Sequence, residues 1–171
     1  MAWDYDFPHS RIGFITSHFG ITTVHGHFRS AEIKLDYDDD DPTKSQLEAI
    51  IDVTSLTTDF PRRDEAVMGE HYLDAENHPT ITFKSKRVEQ RAPNRYAVVG
   101  DLTMRGVTRE LVLDTTYSGE VTDARGNVLR GLAARAEINK SDFGITGNPR
   151  EPGNIFEVIK LVLDVELHKR A

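Results

Sequence analysis

Apolar and polar residues alternate with a period of two along almost the whole chain, the spacing that sends successive side chains to opposite faces of a strand. Ile12, Phe14 and Thr16 share one face, and Val24, Gly26 and Phe28 share the next. Ile33, Leu35 and Tyr37 alternate with Glu32, Lys34 and Asp36, which predicts a half-buried strand. Leu47, Ala49, Ile51 and Val53 make another apolar face, followed by Ile81 with Phe83 and by Tyr96, Val98, Leu102 and Met104. Leu111 and Leu113, then Leu132, Ala134, Ala136 and Ile138, continue the series. The last segment sets Ile159, Leu161, Leu163, Val165 and Leu167 against Lys160, Asp164 and Glu166. Eight or nine strands with one apolar face each cannot bury those faces as a flat sheet, so they curl into a barrel or fold into a sandwich. Met104-Arg105-Gly106-Val107 reads as a tight hairpin and Asp123 to Asn127 as a polar turn, so neighbouring strands run antiparallel.

One stretch breaks the alternation. Between Asp59 and Phe83 the pattern takes on helical character, centred on residues 60–76. A structured insert of about twenty residues in an otherwise all-β chain usually lines or lids a site. The segment from Gly144 to Asn154 is the other long connection. No repeat or linker divides the chain, which predicts a single domain over residues 1–171.

Composition narrows the function classes. A net charge of −7 with scattered Lys and Arg argues against nucleic-acid binding, which needs clustered cations. The absence of cysteine excludes disulfides and thiolate metal sites. No stretch approaches the roughly 18 apolar residues of a membrane-spanning helix. The start, Met-Ala-Trp-Asp-Tyr-Asp-Phe-Pro-His-Ser, has no basic region followed by an apolar run, so a cytoplasmic location is expected.

Candidate chemistry is thin. His18, His25 and His27 fall near one hairpin, and histidines two apart in a strand can aim at one ion. Their face is opposite to that of Val24, Gly26 and Phe28, however, which sends them to solvent. The run Asp38 to Asp41 lacks the spaced aspartates, the Gly and the closing Glu of a calcium loop and reads as a solvated turn. No Gly-x-Ser-x-Gly elbow is present. Asp64 and Glu70 are a carboxylate pair that an enzyme on a lipid substrate would use, or plain helix-supporting charges. Enclosure of a ligand is better supported. Phe14, Phe19, Phe28, Phe60, Tyr72, Phe83 and Phe143 supply aromatic surface, while Gly26, Ala49, Gly100, Ala134 and Ala136 at inner positions leave room. An eight-stranded barrel either fills with its own side chains or holds one small ligand, and the pattern leaves both readings open.

Several motifs, in order, resemble the YceI-like family. They are Pro8-His9-Ser10 with Ile12-Gly13-Phe14, Gly26-His27-Phe28, Pro42 with Ser45, and Ile51 to Thr57. Arg63-Asp64, Asn77-His78-Pro79-Thr80-Ile81-Thr82-Phe83, Gly100 to Thr103 with Gly106 to Thr108, and Ile138 to Gly144 complete the set. The likeness runs from about Phe7 to Leu167. It implies an all-β, lipocalin-like antiparallel barrel of about eight strands with a helical segment at one end. It also implies a pore for polyisoprenoid or other long-chain lipids, no catalytic activity, no cofactor, and a homodimer as one form of assembly. Where the family often has His and Arg after Arg63-Asp64, this chain has Ala66 and Met68, and its aromatic position reads Tyr72-Leu73. Those departures favour an apolar wall over contact with a charged head group, unless Arg62, Arg63 or Arg150 supplies the charge.

The expectation is therefore a protein that sequesters or carries a polyisoprenoid, quinone-type or fatty acyl lipid. The pore wall falls to Phe14, Phe28, Phe83, Leu102 and Met104. The mouth falls to Phe60, Met68, Tyr72, Phe143 and Ile145, with Arg63 as polar anchor or as a salt-bridge partner of Asp64 or Glu70.

Overall fold

The alternating segments form one continuous antiparallel sheet that closes on itself. The computed structural model describes residues 2–169. Its strands are β1 (Ala2–His18), β2 (Thr22–Phe28), β3 (Ala31–Asp36), β4 (Gln46–Asp52), β5 (Leu56–Thr57), β6 (Thr80–Ala92), β7 (Arg95–Met104), β8 (Val107–Thr122), β9 (Val128–Asn139) and β10 (Val158–Lys169), with one helix, α1 (Pro61–Val67). The strands pair in the order β10-β9-β8-β7-β6-β4-β3-β1-β2-β5, and β10 also pairs with β1. Eight of them thus close a barrel (β1, β3, β4 and β6 to β10). β2 pairs with β1 in continuation of β3, and the two-residue β5 pairs with β2. Closure removes the unpaired edges that an open sheet of this size would expose.

The inner faces are the ones the alternation marks. Ile12, Phe28, Ala49, Ile81, Phe83, Leu102, Leu111 and Ile159 belong to one buried cluster. Val53 is buried too, but it opens a 3-10 turn (Val53–Ser55) rather than extending β4. Where the start of β1 pairs with the end of β10 lies a smaller cluster of Trp3, Leu35 and Leu167. The sequence pattern had not marked the first part of β1, because Pro8 and His9 interrupt it there. Asp6 pairs with Glu166 and Arg11 with Asp164, so residues 7–10 on β1 span what Val165 alone spans on β10. That bulge takes up Pro8, which has no N–H for a ladder bond.

The connections sort by end. The start of β1, the end of β10, the Asp38-to-Ser45 segment and the β6–β7 and β8–β9 turns lie at one end. The β1–β2 turn, the helical insert, the β7–β8 turn and the long segment between β9 and β10 lie at the other. The aspartate run builds its own turn: Asp38 Oδ1 accepts the Asp40 and Asp41 amides, and Asp41 Oδ1 accepts from the Thr43 amide and hydroxyl. Among the described residues no helix is long and apolar enough to cross a membrane.

Candidate functional site: an apolar cavity along the barrel

A cavity of about 670 Å³ lies inside the barrel, within the range typical of small-molecule sites. Its walls are the inward aliphatic and aromatic side chains of the closed sheet, and it reaches from the insert end to Tyr37, Gln46, Tyr96 and Tyr117 near the other end. The barrel interior is therefore only partly filled by its own side chains.

Two glycines shape the wall by receiving rings. A Cβ on Gly26 would stand 2.2 Å from Phe14 Cζ, and one on Gly100 would stand 2.5 Å from Phe83 Cζ. These glycines do not leave free volume, as the pattern had suggested; Phe14 and Phe83 occupy the notches. Phe14 then meets Phe28 at 5.9 Å between ring centres, tilted by 48°. Ala49 and Ala134 do line the open space, whereas Ala136 packs against the core without lining it.

The insert is short as a helix. Pro61 presets φ at its first turn, α1 stops after seven residues, and turns carry the chain on to His78. Asp64 accepts from the Thr58 amide at 2.6 Å and from the Thr58 hydroxyl at 2.5 Å. Arg63 Nε donates to the same hydroxyl at 2.8 Å, and its Nη2 donates to the Thr58 carbonyl at 2.6 Å. Arg63 therefore braces the start of the insert through Thr58, rather than through the carboxylates of Asp64 or Glu70. Its side chain also lines the cavity rim.

A second arginine fastens the insert to the barrel, one the sequence pattern did not single out. Arg105, at φ +53° in the β7–β8 turn, donates to the carbonyls of Glu70 (2.6 Å), Tyr72 (2.8 Å) and Phe143 (3.1 Å). It ties the insert to the segment after β9 in one contact set. Asn154 donates to the Tyr72 hydroxyl at 2.8 Å, and the amides of Thr146 and Gly147 both donate to the His71 carbonyl. The insert and the Asp142-to-Asn154 loop meet here, over the cavity.

The residues expected around the pore divide. Phe14, Phe28, Phe83, Leu102 and Met104 line the cavity wall, and Arg63, Tyr72 and Ile145 line it at the insert end. Phe60, Met68 and Phe143 are not among the lining residues. Phe60 is 54% exposed with Arg63 over its ring, Met68 is partly buried and packs against the core cluster, and Phe143 is buried within it. Ala66 lines the cavity where the family often has His.

The opposite end carries a half-buried cation. The Arg130 guanidinium lies 4.4 Å from the Trp3 ring centre and 4.3 Å from that of Tyr37, and pairs with Asp39 at 2.5 Å and Glu120 at 2.6 Å. The hydrogen bond from Arg130 holds the Asp39 carboxyl below the usual carboxylate range. Burial raises the Tyr37 and Tyr117 phenols above theirs.

The rival chemistries do not assemble. His25 and His27 point outward, and His27 contacts Arg11 at 3.0 Å; burial and that guanidinium push its pKa down. His18, His25 and His27 do not converge as a metal-ligand group among the described residues. Neither Asp64 nor Glu70 lines the cavity, and Glu70 is an exposed partner of His71.

With this geometry in hand, the comparison with known proteins is direct: a YceI-like domain matches residues 3–167. The chain belongs to the YceI-like family. A UPF0312 protein of Pseudomonas savastanoi pv. phaseolicola is 30% identical over 170 residues, 97% of this chain and 86% of that protein. A UPF0312 protein of Yersinia pestis is 29% identical over 163 residues, 95% of this chain and 83% of that one. Among solved structures, Burkholderia cenocepacia BcnA superposes with a TM-score of 0.86 at 18% identity, covering 95% of this chain and 99% of that one. A polyisoprenoid-binding domain from Saccharophagus degradans, implicated in plant cell wall breakdown, superposes with a TM-score of 0.66 at 12% identity over 99% of both chains. The lipocalin-like YceI barrel expected from the motifs is the fold observed.

Proposed function

We propose that this YceI-like barrel binds an elongated apolar lipid in its pore and sequesters or carries it, with a polyisoprenoid or quinone-type chain favoured and a fatty acyl chain next. The cavity carries the reading: about 670 Å³ of space walled chiefly by aliphatic and aromatic side chains. The polyisoprenoid-binding neighbour from Saccharophagus degradans supports the ligand class. The role is binding rather than catalysis. Each buried CH₂ contributes about 0.8 kcal/mol. A chain of about 15 carbons therefore gains roughly 12 kcal/mol before association costs of about 4–15 kcal/mol. The mouth is assigned to the end where the insert meets the Asp142-to-Asn154 loop, where Arg63, His71, Asn148 and Asn154 line the cavity. Ala66 and Ile145 are apolar within that rim and Arg63 is already engaged by Thr58, which favours an uncharged or weakly polar head.

Filling the pore tests this. In Ala49→Phe a ring occupies space in the cavity wall. Uptake of a fluorescent polyprenyl or acyl probe should fall by roughly tenfold or more, equivalent to about 1.4 kcal/mol, with the circular dichroism spectrum unchanged. Equal uptake by the folded variant would place the probe outside the barrel and sink the proposal.

A further inference from the structure

On the outer wall, away from the cavity, the first and last strands bring three potential metal ligands together, Asp6, Glu166 and His168, with a fourth, His9, beside them. Glu166 is paired directly with Asp6, and His168 lies two residues further along β10, so the three share the outer face. Leu167 between them is buried inside. The β1 bulge at residues 7–10 turns His9 back onto Asp6, and Ser10 pins it by accepting the Glu166 amide at 2.9 Å.

The donor atoms are closely spaced. Asp6 Oδ2 is 2.9 Å from His9 Nδ1 and 2.9 Å from His168 Nε2. Glu166 Oε1 is 2.7 Å from His168 Nε2 and 3.9 Å from His9 Nδ1. Donor atoms around a tetrahedral zinc ion, bound at about 2.0–2.2 Å, are separated by about 3.3 Å. The distances from His168 to Asp6 and Glu166 fall a little under that value, and the distance from His9 to Glu166 a little over it. His9 stands outside the group whose donor atoms all lie within 4.8 Å of one another, so its ring has to turn inward to complete the set. Asp6, Glu166 and His168 also stand together as the one converging ligand group among the described residues.

The donor set selects the ion. Two imidazoles and two carboxylates suit zinc or another first-row divalent ion, whereas calcium and magnesium take oxygen ligands. The surroundings fit as well. The Asp6 side chain is only 11% exposed and Glu166 and His168 are each 32% exposed, so the ligands are held by the sheet, while His9 leaves a path from solvent. Ordinary histidine–carboxylate pairing would be met by separate pairs. Here a single oxygen of Asp6 serves both histidines, and a second carboxylate joins them.

We propose that Asp6, His9, Glu166 and His168 form a zinc site that ties β1 to β10 across the seam where the barrel closes. The ion joins residues from opposite ends of the chain, where a cross-link restricts the unfolded ensemble most. The site is independent of the lipid cavity, and its success or failure leaves the pore reading untouched.

Calorimetric titration of the chelator-stripped full chain with zinc sulfate tests the site. The expected result is one ion per chain with a Kd on the order of micromolar or tighter, a raised melting temperature, and intense visible absorption when cobalt replaces zinc. His168→Gln and His9→Gln, both on the outer wall, should each weaken binding by roughly tenfold or more while keeping the circular dichroism spectrum. The double variant His25→Gln/His27→Gln should bind as the parent does. No saturable binding below about 100 µM, undiminished affinity in folded His168→Gln and His9→Gln, or loss of binding in the His25/His27 variant would each overturn the proposal.

Discussion

Phe14 and Gly26 show how a single missing side chain sets the shape of the pore. The Phe14 ring occupies the space a Cβ on Gly26 would need. Gly26→Ala should therefore push Phe14 toward the cavity and destabilise the barrel by about 1–3 kcal/mol, the usual cost of overpacking, read as a lower urea midpoint. Its lipid uptake should fall as well. A variant with parental stability and uptake would show that the ring has another place to go. At the other end Asp39 gives a pH signature. Arg130 lowers its folded-state pKa, so its contribution to stability is complete above the ordinary carboxylate value and is lost as pH falls through the folded one. The stability gap between the parent and Asp39→Asn should be larger at pH 7 than at pH 3 in denaturant titrations, and a gap independent of pH would refute the pairing. The wall residues Phe14, Phe28, Phe83, Leu102 and Met104 were legible because a period of two sorts side chains by face whatever the register. Phe60 and Phe143 were not, since an aromatic residue beside a turn carries no period to say whether it faces pore, core or solvent.

At the scale of elements, the insert depends on Arg105 more than on its own helix. A seven-residue helix is too short to hold itself, and three carbonyls from two segments converge on one guanidinium. Arg105→Ala should speed amide exchange across residues 68–78 and cost about 1.5–3 kcal/mol, the scale of hydrogen bonds to a charged group. Exchange in β7 to β9 should stay slow. Arg105→Lys should restore little, because an ammonium lacks the planar fork that reaches several acceptors. Uniform protection in Arg105→Ala would mean that the contacts of Asn154, Thr146 and Gly147 alone hold the insert. This clamp was hidden in the sequence because its acceptors are backbone carbonyls, which every residue has. The first part of β1 was hidden for a related reason: the bulge at residues 7–10 breaks the alternation that marks a strand. The Asp6, Glu166 and His168 group required knowing that the first strand pairs with the last, which motif spacing does not encode.

For the whole molecule, closure of the sheet and openness of its interior are one property. Eight strands curl far enough to enclose a space, and the placement of rings against Gly26 and Gly100 leaves that space partly unfilled. A lipid that binds only the closed barrel should stabilise it by mass action, about 2.7 kcal/mol at a hundredfold excess over Kd. The melting temperature should therefore rise with added polyprenyl or acyl lipid, and less so in Ala49→Phe. The family likeness named the pore; the cavity gives it dimensions and walls in this chain. Native mass spectrometry of freshly purified protein, followed by organic extraction, tests the carrier account most directly. A stoichiometric adduct of a few hundred mass units that extracts as an isoprenoid or acyl lipid is the predicted result. A bare chain that also refuses added polyprenyl and acyl lipids would contradict it and move the function to the outer surface of the barrel.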